Sequence, residues 1–81
     1  MLYHPDMSST REQRSAALKR AIEQVGGPSE VARYFDISTQ AVSGWEVCPA
    51  RRVLGLAELV KQKGGDVTAF DLFPELYPQA A

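Results

Sequence analysis

The chain has 81 residues, enough for one small domain whose core can be only marginally large. An apolar share of 44% and a charged share of 23% are ordinary for a globular protein and argue against a disordered chain. A net charge of −1, a single cysteine and a single histidine exclude an intrachain disulfide and a His/Cys metal set, and they give no strongly basic surface overall.

Residues 1–8 lack periodicity and are expected to form a tail, with residues 9–78 as one domain and 79–81 as a second short tail. Ser9 with Glu12, or Thr10 with Gln13, has the spacing of a capping box and predicts a first helix. Within it Leu18, Ala21, Ile22 and Val25 recur at helical spacing, and Gly26-Gly27 ends it. Pro28 suits the first position of a second helix, Glu30 favours its dipole, and Val31, Ala32 and Phe35 supply the inward face. Asp36 reads as a turn residue that tolerates positive φ.

Ser38 is a good N-cap for a third helix running to about Glu46. Pro49 at the first position opens a fourth, striped by Val53, Leu56, Ala57 and Val60 with Leu54 and Leu59 beside them, and Gly64-Gly65 closes it. Thr68 and Asp71 form another capping box, which predicts a short fifth helix from Ala69 to about Phe73, stopped by Pro74. No segment alternates like a strand. The expected fold class is all-α, a compact bundle of about five short helices.

Residues 28–46, PSEVARYFDISTQAVSGWE, combine a short helix, a tight turn and a second helix, and so read as a helix-turn-helix that would lay its second helix in the DNA major groove. Ala32 is small enough for close helix approach, Ile37 fills the space beneath the turn, and Val42 and Trp45 point back to the core. The outer face is then Thr39, Gln40, Ser43 and Gly44, the candidate base contacts, with Gln40 able to pair bidentately with adenine. A glycine inside a helix costs roughly 1 kcal/mol against alanine, so Gly44 suggests either close backbone approach or a neutral accident. Ser38, Arg33, Arg51 and Arg52 are the candidate phosphate contacts. For the arginine pair, ordinary solvated surface is the alternative, and Arg14 or Lys19 are weaker candidates.

Charge is uneven along the chain. Residues 11–52 carry +2 and residues 53–81 carry −2, so the positive half holds the motif. Phe70, Phe73 and Tyr77 read as core closure, with a dimer surface as the alternative. Cys48 reads as a small apolar residue near a helix start. No nucleophile–base pair, paired carboxylate or metal arrangement is visible, so neither an enzyme nor a cofactor is expected. No apolar run approaches the roughly 20 residues of a membrane span, and MLYHPDMSST has no basic stretch followed by an apolar one. A cytoplasmic protein without a membrane partner is expected.

The stretches AIEQVGGPSEVARYFDISTQAVSGWE, PARRVLGLAEL and GGDVTAFDLFPELYP together resemble the phage Cro and repressor type of helix-turn-helix, and within it the YdaS-like, Cro-like group of prophage regulators. The likeness covers about residues 16–78. It implies a lambda-repressor-like five-helix domain that binds a palindromic operator on double-stranded DNA as a homodimer, usually as a repressor. Some members are antitoxins acting through a toxin partner, which is the alternative. By position it implies base contacts from Thr39, Gln40, Ser43 and Gly44 and backbone contacts from Arg51 and Arg52. Pro28 stands where relatives often place glutamine, Asp36 where they place the turn glycine, and Gly44 where many carry a long polar side chain.

Overall fold

A computed structural model describes residues 7–77, and among them it contains only helices and turns. Helix α1 spans Met7–Gln24, α2 Pro28–Phe35, α3 Thr39–Ser43, α4 Val53–Gln62 and α5 Ala69–Leu72, with a 3₁₀ turn at Ala50–Arg52 leading into α4. The small all-α bundle expected from periodicity is the observed fold. Helix α1 begins at Met7, so Ser9 and Thr10 lie inside it and neither is its N-cap, and the expected tail loses its last two residues to the helix. The rest of that tail, and residues 79–81, lie outside the described residues.

The core takes Ala17, Leu18, Ala21 and Val25 from α1, Val31 and Ala32 from α2, Val42 from α3, and Val53, Leu56, Leu59 and Val60 from α4. Cys48, Val67 and Leu72 complete it. The inner face of α4 differs from the expected stripe at three positions. Leu59 is buried, whereas Leu54 is 59% exposed and Ala57 half-buried. One helical turn separates Leu56 from Leu59 and Val60, which places these three on the inner face and turns position 54 away from it.

Three helices end in the same way. At α1 the Gly27 N–H donates to Ile22 O (2.8 Å) and the Gly26 N–H to Glu23 O (3.2 Å). At α2 the Ile37 N–H donates to Ala32 O (3.0 Å) and the Asp36 N–H to Arg33 O (3.3 Å). At α4 the Gly65 N–H donates to Val60 O (2.9 Å) and the Gly64 N–H to Lys61 O (3.1 Å). This paired bonding is the Schellman motif, and it needs a left-handed residue at its centre. Gly26 (φ 103°) and Gly64 (φ 82°) take that conformation without a Cβ penalty. At α2 the same place is held by Asp36, with φ 58° and ψ 48°.

Long-range polar links close the bundle behind α2 and α3. The Arg14 guanidinium lies 3.7 Å from the centre of the Phe73 ring, its Nε donates to Leu72 O (3.3 Å), and its Nη1 is 3.9 Å from Glu75. Gln24, the last residue of α1, accepts from the backbone N–H of Asp66 (3.0 Å) and of Val67 (3.3 Å), and donates to the Asp66 carboxylate (2.8 Å). Arg20 adds a second bond to that carboxylate at 3.0 Å. The Gln24 amide, aided by Arg20, holds the Asp66 carboxyl below its ordinary range. Helix α5 is fixed by the capping box read from sequence. Asp71 N–H donates to Thr68 Oγ1 (3.3 Å) and Thr68 N–H to Asp71 Oδ2 (2.9 Å).

Candidate nucleic-acid interface

The Schellman turn after α2 determines where α3 can go. Ala32, 5% exposed and part of the core, supplies the carbonyl that accepts from the Ile37 N–H and closes the turn. Ile37 lies half-buried against the core directly after Asp36. Ser38 is then extended (φ −78°, ψ 152°), and its Oγ accepts from the Ala41 N–H at 3.0 Å. That bond uses an oxygen lone pair and leaves the hydroxyl proton free to donate outward.

Helix α3 is shorter than expected. It ends at Ser43, and Gly44 is its C-cap at φ −81° and ψ −8° rather than an interior residue. Three features end it there. Glycine is a poor helix residue, Trp45 turns half-buried toward the core against Phe35 (ring centres 6.4 Å apart), and Glu46 forms an ion pair with Arg11 of α1. A Cβ placed on Gly44 would meet only Gln40 O (3.5 Å) and Ala41 O (3.7 Å), which are ordinary contacts. The protein itself therefore does not require glycine at position 44, and no interior helix penalty applies there.

Of the five residues of α3 only Val42 is buried. Thr39, Gln40 and Ser43 are exposed, as are Ser38 and Gly44 on either side, so the candidate base contacts share one open surface. Ala41 is exposed as well, a position that sequence reasoning had passed over because alanine carries no polar signature.

The arginines divide. Arg51 is exposed in the 3₁₀ turn. Arg52 is half-buried, its guanidinium 4.9 Å from the centre of the Phe35 ring, so α2 anchors it. Pro49, expected at the first position of α4, instead caps this 3₁₀ turn, and α4 proper starts at Val53. Arg33 is exposed and lies 3.6 Å from Glu30 one turn earlier. Of the weaker candidates, Lys19 is exposed, whereas the Arg14 side chain is only 15% exposed and committed to Phe73, Leu72 and Glu75. Arg14 is therefore a structural residue, unavailable to a phosphate.

Cys48 follows this region fully buried, and burial pushes its thiol up to about 12. Phe73 and Tyr77 pack against the core, as core closure requires, and half-buried Phe70 lines a groove between α1 and the C-terminal segment. Among the described residues no group of His, Cys, Asp and Glu is placed to hold a metal, and no helix is long and apolar enough to cross a membrane. His4 lies outside the described residues.

No curated protein and no solved structure matches the chain. A family model described as "Bacterial toxin YdaS" matches residues 18–81, from the middle of α1 through the turn, α3, the 3₁₀ turn and everything that follows. The match covers most of the chain and includes each element that positions the exposed face of α3, and the protein belongs to the bacterial toxin YdaS family.

Proposed function

We propose that the protein is a sequence-specific DNA-binding regulator that uses α2 and α3 as a helix-turn-helix. The observation that carries this reading is the surface of α3, a helix anchored by one buried side chain, Val42, which turns Thr39, Gln40 and Ser43 outward. An ordinary surface helix of a small domain is dressed in lysine and glutamate. This one has an amide, two hydroxyls and a methyl, groups suited to base edges. Ser38, Arg33 and Arg51 supply phosphate contacts around it, and Arg52 does so from its seat on Phe35. One such helix reads only a short half-site, so the protein acts as a homodimer on a palindromic operator, in the manner of a Cro-like repressor.

Selection from random duplex DNA, followed by titration of the consensus at two salt concentrations, tests this. The expected result is a palindrome bound with nanomolar-class affinity, weakening steeply as salt rises. Gln40→Ala is expected to relax the preference at one base pair per half-site. Absence of enrichment at low salt overturns the reading.

A second reading is favoured by the family description, which names a toxin. Growth inhibition is then the biological output, through a protein partner rather than an operator. Inducing the chain in a bacterial host separates the two. Growth inhibition that disappears with Gln40→Ala places DNA binding upstream of the effect, whereas inhibition that survives the substitution favours the partner.

A further inference from the structure

We infer that α3 reads an A·T-centred half-site, and that Ala41, a side chain with no polar group, is one of its reading residues. This rests on the helix-turn-helix reading above and specifies its target.

Successive residues of a helix are turned by about 100°, so with Val42 in the core Gln40 and Gly44 point most directly outward. Ala41 and Ser43 flank that line on either side, and both are exposed. Gly44 adds no side chain one turn beyond Gln40, and both residues are exposed. The exposed face thus places an amide next to a methyl group.

Residues 38–44 contain no lysine or arginine. Those two residues make the commonest specific contact in the major groove, the bidentate pair with guanine O6 and N7. The cations nearest in sequence, Arg33 beside Glu30 at 3.6 Å, exposed Arg51 and Arg52 on the Phe35 ring, lie outside α3 and are the ones assigned to phosphates above. What α3 offers matches adenine through Gln40 and the thymine C5 methyl through Ala41. Apolar contact with that methyl needs an exposed small side chain, which is what Ala41 provides.

The test uses the full chain. Duplexes are selected from a random pool, and each thymine of the consensus is then replaced singly by deoxyuridine, which removes only the C5 methyl. The expected result is that the most constrained positions are A·T pairs and that one replacement weakens binding about fourfold, the worth of one buried methyl. In Ala41→Gly that penalty disappears, whatever the overall loss of affinity. Ala41→Ser, gentler on the helix, keeps the Cβ but sets a hydroxyl beside the methyl, so there the penalty should shrink rather than vanish, and circular dichroism confirms that each variant folds. Constrained G·C pairs at the centre of the half-site overturn the inference, as does a deoxyuridine penalty equal in all three proteins. Failure of the wild-type chain to bind any duplex is a separate outcome, because it defeats the helix-turn-helix reading itself.

Discussion

Phe35 lies across Gly55. A Cβ built on Gly55 would stand 2.6 Å from Phe35 Cε1 and 3.0 Å from Cζ, so α2 reaches α4 through a gap that only glycine leaves open. The ring has little freedom to retreat, because Tyr34 meets it at 5.0 Å, Trp45 at 6.4 Å and the Arg52 guanidinium at 4.9 Å. Gly55→Ala gains about 1 kcal/mol of helix propensity but displaces that ring, at a typical overpacking cost of about 1–3 kcal/mol. The expected result is a net loss of about 1 kcal/mol in thermal unfolding. Emission of Trp45, the single tryptophan, should shift with it.

Asp36 holds a left-handed conformation at the end of α2, where the helix dipole also disfavours an anion. Asp36→Gly keeps both turn hydrogen bonds and removes both penalties. A stabilisation of about 1 kcal/mol is expected, read as a rise of roughly 4–8 °C in Tm. A fall in Tm would mean that the aspartate side chain contributes to the turn.

The Gln24 amide governs a pH effect. Asp66 has its pKa lowered, first by Gln24 and then by Arg20, so its ionised form is favoured in the fold. A lowered value stabilises above the ordinary carboxyl value of 3.8, and the contribution is lost as pH falls through the lower folded value. Gln24→Ala should cost about 1 kcal/mol near neutrality through its lost backbone hydrogen bonds. It should also make the stability less sensitive to pH below 3.8. Urea titrations of both proteins across the acid range measure the two effects together.

Cys48 gives the opposite sign. Its value is raised from 9.0 to about 12 by burial, so the neutral thiol is favoured in the fold. Its contribution is fully present below 9.0 and is lost as pH rises through about 12. Cys48→Ala should flatten part of the alkaline decline. At pH 8 a thiol reagent should label the native wild-type protein only as fast as the chain opens, and immediately once urea unfolds it.

Local chemistry was legible in the sequence and long-range chemistry was not. Pro28, Ser38, the Thr68–Asp71 box and the glycine pairs each act within about one turn, and each stands where it was expected. Helix α1 starts before Ser9 and Thr10 because a capping-box pattern there does not forbid an earlier helix start. Helix α3 stops short of Glu46, although the apolar spacing from Val42 to Trp45 continues past Gly44. Arg11–Glu46, Arg14–Leu72 and Gln24–Val67 join residues 35, 58 and 43 apart, and no local period encodes such pairs. The exposed face of α3 was readable from polarity, except for Ala41, whose exposure follows from the helix having one buried residue.

That lone anchor has an evolutionary consequence. The turn ahead of α3 is closed by backbone N–H groups of Asp36 and Ile37 donating to the carbonyls of Arg33 and Ala32, and the helix is pinned through Val42, so the scaffold draws almost nothing from the other α3 side chains. Positions 39, 40, 41 and 43 can be exchanged with little loss of stability. Divergence at these few codons can give related chains different targets while the frame that presents them stays the same.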